Sequence, residues 1–197
     1  MATMTEKVRE LREKTGAGVM DCKEALTASA DDLEKAIDYL RKKGLASAAK
    51  KAGRETKEGL VGSYVHGNGK IGVLVEVACG TDFVARTDEF QTLVRDLAMH
   101  VAAADPAAVS REEIDPGLVA SERELMLAQV KEMGKPDAIA DKIVEGKLEK
   151  WYGERALMEQ AFVKDPESKI EDVVKAAVAK LGENIQIRRF SRFQLGA

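Results

Sequence analysis

Apolar and polar positions along this 197-residue chain change period several times, and each change marks an element. Leu33, Ile37 and Leu40 recur at i, i+4 and i+7, the spacing of one helix face. Phe90, Leu93, Val94, Leu97, Ala98 and Val101 make a longer stripe of the same kind. Ile170, Val173, Val174, Ala177, Val178 and Leu181 make another. Leu60 to His66 and Lys70 to Cys79 are instead rich in strand formers. Gly67-Asn68-Gly69 between them supplies the positive-φ residues of a tight hairpin. Ile185 to Phe193 predicts a third strand.

Punctuation residues sharpen this picture. Residues 1 to about 44 predict three short helices. Thr3 and Glu6 stand at capping-box spacing ahead of the first, whose buried side carries Val8 and Leu11. Gly16 and Gly18 make a turn before a second helix containing Cys22, Ala25 and Leu26. Asp31 or Asp32 starts the third, and Gly44 suits the residue after its end. Residues 45–58, alanine-rich and charged, predict a linker with some helix. Residues 107–158 predict helix with breaks. There Ser110 and Glu113 repeat the capping spacing, Pro136 fits a first turn, and Ile139, Ile143 and Leu148 give an apolar side. The expected fold class is α+β, with an N-terminal three-helix module and a core whose three-stranded antiparallel sheet is covered by helices. The expected division is 1–54, module plus linker, and 55–197, core and dimerisation domain.

Composition narrows the function. Hydrophobic residues make up 45% and charged residues 33%, which predicts a soluble, folded chain. A net charge of −3 argues against general electrostatic attraction to nucleic acid. No apolar run approaches the roughly 20 residues that cross a bilayer, so no membrane partner is expected. The segment up to Lys7 lacks the order of a signal peptide. Two cysteines, Cys22 and Cys79, are too few for a disulfide framework, and the expected compartment is the reducing cytoplasm.

Several patterns have plain structural explanations. Gly67 to Gly72 matches a dinucleotide fingerprint in spacing, but a strand follows where a helix N-terminus is required. His66 and His100 lack ligand spacing. His66 reads as a surface residue at a strand end, and His100 as a solvated or capping residue on its helix. No paired carboxylates rise above the solvated helix faces, so no catalytic residue, metal or cofactor is expected. Arg188, Arg189 and Arg192 alternate with Phe190 and Phe193. That pattern gives the alternative function, an RNA-binding translation-associated factor that stacks bases on a basic strand.

The run Thr81-Asp82-Phe83-Val84-Ala85-Arg86 carries the most information. Gly80 breaks the preceding strand, so Asp82 and Phe83 sit on a connection leaving the sheet. Asp82 caps the next helix and Phe83 packs into the core on one reading. On the other, the acidic–aromatic pair is a tip that inserts into another protein. Spacing leaves both open.

Five segments in order closely resemble the bacterial elongation factor Ts family. They are Leu11 to Leu26, Ala36 to Gly44, Glu58 to Tyr64, Thr81 to Arg86, and Gly182 to Phe190. The resemblance implies a guanine-nucleotide exchange factor for elongation factor Tu, acting by binding and not by covalent chemistry. It implies that residues 1–54 are similar to a ubiquitin-associated (UBA-like) domain and dock on the partner's GTPase domain through Val19, Met20 and Lys23. It implies that Thr81, Asp82, Phe83 and Val84 form the loop entering near the partner's phosphate and magnesium site, with Thr81 and Arg86 holding its shape. One sheet unit in place of the two related half-cores of longer members implies a homodimer. No direct nucleic-acid contact is implied.

Overall fold

The computed structural model describes residues 3–133 and 136–196. In chain order the elements are α1 (Met4–Thr15), α2 (Val19–Ala28), α3 (Leu33–Lys51), β1 (Glu58–His66), β2 (Ile71–Cys79), α4 (Asp82–Ala85) and α5 (Asp88–Ala104). After them come α6 (Pro116–Glu132), α7 (Asp137–Arg155), β3 (Ala161–Phe162), β4 (Asp165–Lys169), α8 (Ile170–Leu181) and β5 (Ile185–Gln194). One sheet has the order β1-β2-β5 and is antiparallel. The fold is α+β, as the periodicities predict. Contacts divide the chain into two compact units. The first holds residues up to Leu60 with 78–93 and 172–186, and the second holds 61–77, 94–171 and the chain from Ile187 on.

In the first unit, Thr3 closes the expected capping box on α1. Its backbone N–H donates to the Glu6 carboxylate at 2.7 Å, and its hydroxyl accepts from the Glu6 N–H at 3.3 Å. Gly16 ends the helix at φ 67°, a conformation that glycine takes without a Cβ clash. Asp32 caps α3. Leu11, Cys22, Ala25, Leu26 and Ala36 form a small buried cluster, with Val8, Leu33, Ile37 and Leu40 packed against it. The third helix does not stop at Gly44 as expected. It runs on to Lys51 because Ala46, Ala48, Ala49 and the lysines are strong helix formers. Gly44 serves packing instead, since a Cβ there would lie 3.2 Å from the Ala179 Cβ on α8.

In the second unit, Val73, Val75 and Val77 of β2 are buried while Leu74 is 49% exposed, the alternation of a half-buried strand. Gly62 of β1 lies so close to Val94 of α5 that a side chain would overlap the Val94 Cγ1. Gly67 and Gly69 turn the hairpin at φ 59° and 80°. Helices α6 and α7 pair around Met126, Val130, Ala140, Val144, Leu148 and Trp151. The buried stripe of α7 is therefore Ala140, Val144, Leu148 and Trp151, and Ile139 faces outward at 50% exposure. Arg111 locks the base of this pair. It forks onto Glu159 at 2.6 Å and onto Glu149 at 3.0 Å, and its guanidinium lies 4.8 Å from the Tyr152 ring centre.

His100 is fully buried, which corrects the expectation of a solvated or capping residue. Its Nδ1 accepts the Val163 N–H at 3.3 Å, so its proton sits on Nε2, which donates to the Gln160 Oε1 at 2.9 Å. The Gln160 amide in turn donates to the carbonyls of Ala104 and Glu154. The short β3–β4 hairpin held here has no hydrophobic alternation in Asp165 to Lys169 and leaves no sequence signal. None of the described helices is long and apolar enough to cross a membrane.

Candidate partner-binding site

Strand β2 ends in the first unit at Cys79, and Gly80 and Thr81 lead into the single turn of α4. Thr81, not Asp82, caps that turn. Every polar group of Thr81 has a partner. Its carbonyl accepts from the Cys79 thiol and the Ala85 N–H at 3.2 Å each. Its hydroxyl accepts from the Val84 N–H at 3.4 Å and donates to the Glu183 Oε1 at 2.7 Å. Its own N–H donates to the Glu183 Oε2 at 3.0 Å. Val84 and Ala85 point inward, at 7% and 5% exposure. Thr87 takes the chain onward, donating to the Val84 carbonyl and accepting from the Phe90 N–H.

The two phenylalanines of this segment part ways. Phe90 is wholly buried, whereas Phe83 is 82% exposed at the crown of the turn. The reading in which Phe83 packs into its own core is therefore excluded. Asp82 is also exposed, and its carboxylate lies 2.9 Å from the Arg86 guanidinium. Of the four loop residues read from the sequence, Asp82 and Phe83 face solvent, Thr81 fixes the turn and Val84 anchors it.

Helix α2 buries Cys22, Ala25 and Leu26 and turns Val19, Met20 and Lys23 outward. Met20 is 74% and Val19 52% exposed. Lys43 of α3 bonds Asp21 at 2.9 Å and Glu24 at 2.7 Å, and the Tyr39 hydroxyl donates to Glu24, so α2 is clasped to α3. The Lys43 ammonium, helped by that hydroxyl, holds the Glu24 carboxyl below its usual range.

The basic–aromatic strand looks different once folded. Arg189 pairs with Glu76 at 2.7 Å. Arg192 donates to the Ala102 carbonyl and pairs with Asp105 at 3.2 Å. Arg189 and Arg192, which the stacking reading needs, are thus engaged within the second unit. Among the described residues no cluster of histidine, cysteine and carboxylates could hold a metal ion. Cys22 and Cys79 are buried, and burial pushes both thiols up, away from reactivity.

A family model described as Elongation factor TS matches residues 7–197. The chain belongs to the elongation factor Ts family. A relative named Elongation factor Ts from Anaeromyxobacter dehalogenans (strain 2CP-1) is 62% identical over 197 residues, covering all of this chain and 90% of its own length. One from Geotalea daltonii is 57% identical over 196 residues, with 91% of its length covered. One from Desulfosudis oleivorans is 57% identical over 189 residues, 96% of each chain. The family is that of a translation elongation factor that performs no covalent chemistry. Within it, Glu183 had no role legible from sequence. It lies 102 residues from Thr81, and no short-range pattern joins them.

Proposed function

We propose that this chain is a guanine-nucleotide exchange factor for elongation factor Tu in the cytoplasm, with Phe83 as its wedge and Asp82 beside it. The observation that carries this reading is a large aromatic ring, 82% exposed, on a turn whose cap is fully hydrogen-bonded. A solvated phenylalanine on such a turn gains its keep by entering another protein. Residues 1–54 act as a UBA-like docking module that meets the partner's GTPase domain through Val19, Met20 and Lys23. Phe83 enters near the phosphate and magnesium site and displaces packed side chains there, while Asp82 brings negative charge.

Linkage supplies the mechanism. A protein that binds the nucleotide-free partner more tightly than the loaded one weakens nucleotide binding by the same factor. Nanomolar nucleotide binding is worth about 12 kcal/mol. Burying one phenylalanine contributes about 1.5–3 kcal/mol, and a thousandfold faster release needs about 4 kcal/mol. Phe83 alone falls short, so the α2 face supplies binding that keeps the wedge seated.

A second copy completes the contact surface. Val61, Val65 and Leu74 are 67%, 66% and 49% exposed on the sheet, and Glu76 and Arg189 lie with Val61 and Leu74 around one recess. Because Glu76 and Arg189 already neutralise each other, this apolar patch can meet its own copy about a two-fold axis without a charge clash. The deciding experiment is release of a fluorescent GDP from elongation factor Tu with and without this chain. Accelerated release supports the reading, and an unchanged rate at saturating chain overturns it.

A further inference from the structure

Glu183 is partly exposed and sits in the same unit as the wedge. Its carboxylate grips Thr81 twice, receiving the backbone N–H on one oxygen at 3.0 Å and the hydroxyl on the other at 2.7 Å. Both are hydrogen bonds to an ionised group, stronger than neutral ones. The approach is close. A Cβ at Gly80 would lie 3.1 Å from the Glu183 Oε2, so the bare backbone at position 80 makes room for the carboxylate. The carboxylate's own mounting is equally firm. Gly182 reverses the chain at φ 80° after α8. Asn184, 5% exposed, donates its side-chain amide to the carbonyls of Ala52 at 3.1 Å and Arg54 at 2.8 Å. Consecutive residues thus fasten the cap of α4 and the chain leaving α3 to one stretch of backbone.

We propose that Glu183 is a positioning residue for nucleotide exchange. It holds Thr81, and through Thr81 it sets the direction in which Phe83 leaves the turn. This inference rests on the exchange reading above. Without the carboxylate, Thr81 keeps its local bonds to Val84, Ala85 and Cys79. The turn then survives but swings relative to its support, and a misdirected ring loses rate more than affinity.

The test uses the full chain with Glu183→Ala, Glu183→Gln, Gly80→Ala, Thr81→Val and Phe83→Ala. Fluorescent GDP release from elongation factor Tu is followed as a function of exchange-factor concentration. Glu183→Ala is expected to lower the saturating rate about tenfold, with the half-saturating concentration unchanged within about twofold because the α2 face is untouched. Gly80→Ala disturbs the same bond from the other side and should move in the same direction. Glu183→Gln keeps one acceptor and should fall between Glu183→Ala and the parent. Glu183→Ala combined with Thr81→Val should be less than multiplicative, and added to Phe83→Ala it should have no further effect. Tryptic cleavage after Arg86 in the free protein gives a readout independent of the partner, and Glu183→Ala should speed it with the thermal midpoint little changed. Slow release by Phe83→Ala with parental release and cleavage in Glu183→Ala and Gly80→Ala overturns the positioning role. Parental release by Phe83→Ala removes Phe83 as the wedge and with it the positioning role, whereas failure of the parent chain itself to speed release overturns the exchange reading; faster cleavage in Glu183→Ala would still establish the brace.

Discussion

At the scale of single residues, exposure decides what each aromatic and titratable group does. Phe83 gives its own subunit almost no buried area. Phe83→Ala should therefore leave the thermal midpoint within about 1 °C while slowing GDP release at least about tenfold, read by melting and stopped-flow fluorescence on the same preparation. Spacing narrowed this segment to two outcomes and left the choice to the family resemblance, because Phe83 and Phe90 lie seven apart and carry equal hydrophobicity. What separates them is Thr81, whose cap turns one ring out and starts the path that buries the other. His100 departs from its sequence expectation for a related reason. A histidine on an apolar stripe reads as polar until its partners are known, and Gln160 and Val163 lie some 60 residues away. Burial holds the His100 pKa below its ordinary 6.5. The unfolded chain then takes up a proton near 6.5 that the folded chain refuses, so stability falls as pH drops from 6.5 toward the folded value and levels off beneath it. Urea midpoints measured from about pH 7 to about pH 5 should decline. His100→Gln, which has no proton to gain, should flatten that decline.

At the scale of elements, helices and strands with strong periods were legible and their ends were less so. Phe90 to Val101 and Ile170 to Val178 appear on buried faces as spaced. Gly44 misled because a glycine that ends a helix and a glycine that lets a second helix approach look the same in sequence. The β3–β4 hairpin is kept by the His100–Gln160 network and by few apolar residues of its own. Close approach also makes Gly62 sensitive. Gly62→Ala should cost about 1–3 kcal/mol, because Val94 must leave its rotamer or α5 must shift. Equilibrium unfolding of the two proteins checks it. The proposed docking face of α2 is better probed by Met20→Ala than by removing residues 1–54. Truncation would strip the Asn184 amide of the Ala52 and Arg54 carbonyls, and so would disturb the neighbourhood of Glu183 along with docking. Met20→Ala should raise the half-saturating concentration several-fold with little change in the saturating rate.

At the scale of the whole molecule, the family was legible from five ordered runs, and a homodimer was the expectation they carried, but its seam was not legible. Exposed Val61, Val65 and Leu74 on the sheet predict a particle of twice the 21.4 kDa chain. Light scattering should find that mass, and Val61→Asp with Leu74→Asp should halve it. If the double variant keeps the larger mass, the open sheet face is not the seam. One feature of the first unit bears on all of this. Because Thr81 has already spent each of its donors and acceptors inside its own subunit, the conformational entropy of the loop is surrendered during folding. Little remains to be surrendered at encounter. When two folded surfaces press together, the more yielding one changes shape, and on the proposed exchange reading that is the GTPase.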